Sequence, residues 1–217
     1  MRRLALFDLD GTLTRADTFR GFVLRLLLEH PARWPRAPLL ALPIAAFILK
    51  RIDRGQLKGA FLRLLFGGMA RATINDFAGR YAALVLANGM FPEALAALRG
   101  HLAAGDHVVI LSASPDLYVP EIGRLLGVHQ TLCTEVRWEG NRLDGRLAGP
   151  NRRDREKARV LATLRATLGL PVIAYGNSAP DLDHMRLCEE GVYVNADARL
   201  ASQLARECPA IRCVRWR

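Results

Sequence analysis

Residues 7–14 read FDLDGTLT and set two carboxylates, Asp8 and Asp10, two positions apart directly after an apolar run. Carboxylates this close repel, and a divalent cation or a shared proton relieves them. With a cation present, Asp8 can stay ionised as a nucleophile toward phosphorus. Asp10, slightly displaced, can then exchange a proton with the leaving group and afterwards with water. An Asp-Gly turn alone is ordinary, but here the acids stand at the C-terminal end of a candidate strand, where open α/β sheets present their ligand sites.

Three other stretches carry chemistry. VVILSASP ends an apolar run on Ser112, whose hydroxyl, with the backbone N–H groups of Ala113 and Ser114 near a following helix N-terminus, can hold phosphate oxygens. RRDREKARVL contains Lys157, the one Lys in the C-terminal 150 residues of a chain that otherwise uses Arg. A compact ammonium suits both a phosphoryl oxygen and an attacking carboxylate, where a forked guanidinium would crowd a metal. YGNSAPDLDH is a turn after an apolar run, with Asp181 and Asp183 two residues apart and a neutral Asn177 at its first polar position.

These residues need a scaffold, and the apolar runs supply one. Short runs at 3–9, 107–111, 171–174 and 191–194 read as buried strands, and helix-like stretches at 115–126 and 155–168 alternate with them, which predicts a parallel α/β sheet. Residues 17 to about 90 break the rhythm. Asp17 can cap a helix whose face carries Phe19, Phe22, Val23, Leu26 and Leu27, and further helices are expected over 38–50, 56–66 and 74–87. This predicts a core of residues 1–16 and 91–217 with a helical cap of residues 17–90 after the first strand. Residues 131–148, around Glu139-Gly140-Asn141, predict a β-hairpin, and IRCVRWR predicts a final short strand or a frayed end.

Composition bounds the rest. A chain of 217 residues, 51% apolar, suits one sizeable domain, or one with an inserted lid. Four cysteines without metal-site spacing, and no secretory signal at Met1-Arg2-Arg3-Leu4, point to a reducing cytoplasm without disulfides. The formal charge is +10, and residues 15–99 hold thirteen Lys or Arg against five Asp or Glu. Such a surface favours anionic partners, but no nucleic-acid-binding motif is present, so nucleic acid is not an expected partner. Residues 37–49, APLLALPIAAFIL, carry no charge and are flanked by Arg33, Arg36, Lys50, Arg51 and Arg54. At ~1.5 Å per residue the stretch reaches roughly 20 Å, short of the ~30 Å hydrocarbon core. It fits a helix buried within the cap, a greasy substrate entrance, or a helix lying in a membrane interface.

Taken together, DxDGT after a strand, Ser112 after a second, Lys157 on a later helix and the turn at 176–181 resemble the ordered motifs of the haloacid dehalogenase-like phosphatase superfamily. The resemblance covers nearly the whole chain. It implies a Rossmann-like parallel sheet with an inserted helical cap and a Mg²⁺-dependent phosphomonoesterase that forms an aspartyl-phosphate on Asp8. Asp10 would serve as acid and base, Ser112, Ala113 and Lys157 as phosphate-side residues, and Asp8, Asp10, Asn177 and Asp181 as the metal group. The pattern departs from the family at Asn177, where an acid is usual, which implies weaker Mg²⁺ binding. The helical cap and the hairpin look most like subfamily IB, which includes phosphoserine phosphatase-like enzymes, and the apolar, basic cap is similar to phosphatidylglycerophosphatase C-like proteins. Two substrate classes therefore stand side by side, a lipid phosphate reached by peripheral contact with the inner membrane face and a small soluble phosphate ester. A catalytically weakened binding protein is the third reading.

Overall fold

The computed structural model describes residues 1–217. Six strands form one all-parallel sheet: β1 (Leu4–Phe7), β2 (His107–Pro115), β3 (Gln130–Thr134), β6 (Val172–Gly176), β7 (Glu190–Val194) and β8 (Ile211–Val214). Their order is β3-β2-β1-β6-β7-β8, so β1 is central and the chain leaves it on one side to build β2 and β3, then on the other to build β6 to β8. Phe7 is level with Ile110 on β2 and with Tyr175 on β6. The crevice for ligands in such a sheet lies at this reversal of order, at the carboxyl ends of the strands.

The alternation of side chains along each strand separates two cores. Leu4, Leu6, Val109, Leu111, Val172 and Ala174 face α7 (Arg155–Leu168), α8 (Ala179–Met185) and α9 (Ala198–Glu207). Ala5, Phe7, Val108, Ile110, Ile173 and Tyr175 belong to the larger cluster on the other face. Strands buried on both faces read as continuous apolar runs, which is why they are legible without alternation.

Between β1 and β2 the chain is helical: α1 (Thr18–Glu29), a 3₁₀ stretch (Pro31–Leu40), α2 (Ala41–Ile48), α3 (Arg54–Phe61), a π-helical turn (Leu62–Phe66), α4 (Arg71–Asn88) and α5 (Pro92–Ala103). The segment leaves and returns at one place, where Thr14 pairs antiparallel with Met90 and the Phe91 N–H donates to Leu13 O at 3.0 Å. The helix expected over 38–50 begins at Ala41, because the three prolines Pro31, Pro35 and Pro38 favour the tighter 3₁₀ form before it. The helix expected over 56–66 ends as a π turn, closed by Gly67.

The stretch expected at 131–148 as one hairpin divides. Residues 130–134 join the main sheet, and β4 (Val136–Glu139) pairs with β5 (Arg142–Leu147) around Gly140, apart from it. Likewise the helix expected from residue 115 is shorter, α6 (Val119–Leu126), since β2 continues through Pro115. The basic tail does form a strand, β8, parallel to β7.

Candidate active site

Asp8 is the first residue after β1, and its N–H donates to Tyr175 O on β6 at 3.0 Å. The turn that follows needs Gly11. Its φ of +80° lies in the left-handed region, and a Cβ there would collide with the Asn177 amide nitrogen. Asn177 thus stands against the DxDGT turn, and Thr12 joins the two: its hydroxyl lies 3.1 Å from Asp8 Oδ2 and 3.3 Å from Asn177 Oδ1.

Lys157, in the first turn of α7, is buried and bridges two carboxylates. Its ammonium donates to Asp8 Oδ1 at 2.5 Å and to Asp181 Oδ1 at 2.7 Å. The second Asp181 oxygen, Oδ2, accepts from the N–H groups of Asn177 at 3.3 Å and Ser178 at 3.0 Å and from the Ser178 hydroxyl at 2.6 Å. Asp181 approaches this closely because the neighbouring strand residue is Gly176, where a Cβ would lie 2.6 Å from that of Asp181.

One ammonium serves two buried acids, and the electrostatics are uneven. Burial opposes ionisation of Asp181, but Lys157 and Ser178 outweigh it and hold its pKa below the ordinary value. Asp8 has fewer donors, so burial prevails over Lys157 and pushes its carboxyl up to about 7. Burial also opposes the charge on Lys157, yet Asp8 and Asp181 together keep its pKa above that of a free lysine.

Asp10 does not join this group. Its Oδ1 accepts from the Thr18 N–H and the Thr18 hydroxyl, both at 2.6 Å, and its Oδ2 accepts from the Ser114 hydroxyl at 2.6 Å. Burial raises its pKa against the pull of these donors. Of the four residues expected at a metal, Asp8 and Asn177 stand side by side about Thr12, and Asp10 and Asp181 line the same cavity. The Asp10 carboxylate accepts from Thr18 and Ser114, and the Asp181 carboxylate from Lys157 and Ser178.

Ser112 is buried within β2. It is 1% exposed, its hydroxyl accepts from the Ser114 N–H at 3.0 Å, and it does not line the cavity, whereas Ala113 and Ser114 do. The helix N-terminus expected beside it lies further on, at Val119, because Ser112 to Pro115 are still strand. Asp183, on the exposed side of α8, does not line the cavity.

One residue enters that the motifs do not reveal. Lys58 of α3 reaches across to donate to Ala113 O and, at 3.0 Å, to Asn151 Oδ1. Burial lowers its pKa to about 8, against Asp10 and Asp17. A lysine in an amphipathic helix looks solvated in sequence, and only the fold turns it inward.

Asp8, Asp10, Lys157, Asn177 and Asp181 share a cavity of about 850 Å³. Its far wall is apolar, with Phe19, Val23, Leu27, Phe47, Leu57 and Phe61, and Arg15, Arg20, Arg54, Lys58 and Arg153 add positive charge. A phosphate group fills only a fraction of such a volume.

A hard divalent cation fits the residues that remain. Asp8 carries a buried carboxylate that lacks full compensation, and Asn177 offers an amide oxygen beside it. Both are oxygen donors of the type Mg²⁺ takes, and the added charge would return Asp8 to the ionised form. With one uncompensated carboxylate where two are usual, the set fits Mg²⁺ weakly.

Several known proteins are similar to this chain. A family model described as haloacid dehalogenase-like hydrolase matches residues 5–186. Protein CicA of Caulobacter vibrioides is 34% identical over 195 residues, covering 88% of this chain and 85% of that one. A histidinol-phosphatase of Neisseria meningitidis is 23% identical, covering 94% and 95%. Among solved structures, a protein of unknown function from Bordetella pertussis Tohama I superposes with a TM-score of 0.80 at 21% identity, over 99% of this chain and 98% of that one.

Proposed function

Because the chain belongs to the haloacid dehalogenase-like hydrolase family, we propose that it is a Mg²⁺-dependent phosphomonoester hydrolase working through an aspartyl-phosphate on Asp8. The observation that carries this reading is the Lys157 bridge: a buried ammonium 2.5 Å from Asp8 and 2.7 Å from Asp181, at a cavity that also holds a separately anchored Asp10. Similarity to a histidinol-phosphatase supports the phosphoester class.

A carboxylate oxygen of Asp8 attacks phosphorus, and the bond from phosphorus to the ester oxygen breaks. Asp10 gives its proton to that departing oxygen. In the second half Asp10 takes a proton from water, the resulting hydroxide oxygen bonds to phosphorus, and the bond to Asp8 breaks. Lys157 offsets the charge of Asp8 and keeps its oxygen directed, while Asp181 and Ser178 fix the ammonium. Mg²⁺, held by Asp8 and Asn177, would supply positive charge to the phosphoryl oxygens. Ala113 and Ser114 face the phosphate side, and the helical segment, residues 17–90, acts as the cap. Asp8→Asn should abolish phosphate release from an aryl phosphate; unchanged turnover would refute the reading.

The substrate we favour is a lipid phosphate met at a membrane surface. The apolar cavity wall supports it, and so does the exterior of the cap: no residue of α2 is buried, Leu42 and Ile48 are 80% and 71% exposed, and Trp34, Leu39 and Leu49 are exposed nearby. A helix buried within the cap, one of the expected arrangements, is therefore not what α2 is. No helix is long and apolar enough to cross a membrane, so contact would be peripheral. Four free cysteines fit a reducing, cytoplasmic setting. Co-sedimentation with anionic liposomes, lost in a Leu42→Asp, Ile48→Asp double variant, tests this choice. Failure of both proteins to sediment would favour a small soluble ester.

A further inference from the structure

Asp10 is gripped by the first residue of α1, within the cap, rather than by its own loop. Thr18 is the N-terminal residue of α1, and both its N–H and its hydroxyl donate to Asp10 Oδ1 at 2.6 Å. A hydroxyl has one proton, so with Asp10 ionised the Thr18 hydroxyl gives it to the carboxylate and must accept from elsewhere. The Tyr118 hydroxyl lies 2.9 Å away, fully buried, and burial holds its pKa well above the ordinary tyrosine value, so it remains a donor. A second tyrosine, Tyr81 of α4, donates to the Thr18 carbonyl at 2.7 Å. The chain of donation runs from Tyr118 through Thr18 to Asp10.

Packing fixes this chain. Tyr118 stacks on Phe22 of α1 with ring centroids 4.6 Å apart, and meets Tyr81 edge-on at 5.4 Å. Core and cap residues thus form one aromatic cluster whose polar atoms converge on Thr18. Two donors on Oδ1 also decide where a proton can sit on Asp10. It is confined to Oδ2, the oxygen beside the cavity-lining Ser114.

We infer that Thr18 and Tyr118 are positioning residues for Asp10, holding its proton-bearing oxygen toward the ester and making proton transfer depend on α1 being docked. The inference rests on the role of Asp10 given under the proposed function. In the step it affects, the proton of Asp10 Oδ2 passes to the departing oxygen as the ester bond breaks and the bond from Asp8 to phosphorus forms.

The test compares kcat/KM for phenyl phosphate, whose leaving group needs the proton, with 4-nitrophenyl phosphate, whose leaving group needs it little. Thr18→Val keeps the shape and the N–H, and Tyr118→Phe keeps the ring stack. Each should lower kcat/KM for phenyl phosphate on the order of 10-fold or more, lower it much less for 4-nitrophenyl phosphate, and leave the melting temperature close to that of the unchanged chain. Thr18→Ser should restore both substrates. An equal loss on both substrates, or no loss on either, overturns the inference. Asp10→Asn separates it from the underlying reading. If that variant also shows no preference for the better leaving group, the role of Asp10 itself has failed; if it does and the Thr18 and Tyr118 variants do not, only the positioning role has.

Discussion

Lys157 Nζ lies 2.5 Å from Asp8 Oδ1, and both groups are buried, so this carboxylate and its counter-charge are a single unit. Removing the ammonium leaves Asp8 and Asp181 facing each other out of water. Lys157→Met should lower turnover on the order of 10²–10³-fold and lower stability near neutral pH by roughly 3–5 kcal/mol. Urea unfolding should show that the stability loss shrinks in acid, as the carboxylates protonate. Lys157→Arg should not restore turnover, because a planar fork cannot occupy the small space between two acids.

Asn177 stands beside Asp8 through Thr12 and brings no charge. Asn177→Asp adds a unit charge a few ångströms from a bound cation, worth on the order of 1–4 kcal/mol. Half-activation should move to a Mg²⁺ concentration about tenfold lower or more, by the same estimate. Without metal the variant should melt at a lower temperature than the parent, and added Mg²⁺ should raise it by more. An unchanged Mg²⁺ titration would mean that Asn177 does not touch the metal.

Lys58 is depressed to about 8, so above that pH the folded protein loses an ammonium that faces the cavity. KM for an anionic ester should rise above about pH 8, and Lys58→Arg should keep it flat. The stability sign is opposite. Between about 8 and the ordinary 10.5, the unfolded chain binds the proton and the folded chain does not, so the Lys58 contribution to stability grows as pH rises. Initial rates and urea midpoints across this range check the two signs independently.

His184, on α8, is 1% exposed, its Nδ1 has no partner, and burial, reinforced by the charge of Lys157, lowers its pKa to about 4. Between 6.5 and about 4 the unfolded chain takes up a proton that the folded chain refuses, so stability falls as pH falls. His184→Leu should flatten this acid limb by up to about 1.4 kcal/mol per pH unit. An unchanged slope in urea midpoints would show that other groups govern it.

The sequence by itself determined the scaffold and the order of its chemical groups. The apolar runs before Asp8, Ser112 and Asn177 are strands because continuous apolar segments between turns can be buried on both faces of a parallel sheet, and the acids follow at their carboxyl ends. Lys157 stands out because Arg is the default cation around it. Local pattern does not carry direction, however, and direction depends on neighbours brought from far along the chain. Asp10 looks like a partner of Asp8, yet Thr18 and Ser114 turn its carboxylate away. Ser112 looks like a phosphate contact, yet β2 runs past it and leaves Ser114 at the cavity. Lys58 looks solvated, yet α3 brings its ammonium to the Ala113 carbonyl and leaves the residue half-buried. The uncharged residues 37–49 suit a buried helix, a substrate entrance or an interfacial helix equally in sequence, yet in the fold α2 has no buried residue and Phe47 lines the cavity. Hydrophobic spacing fixes which residues form elements; packing between distant elements decides which atoms face the site.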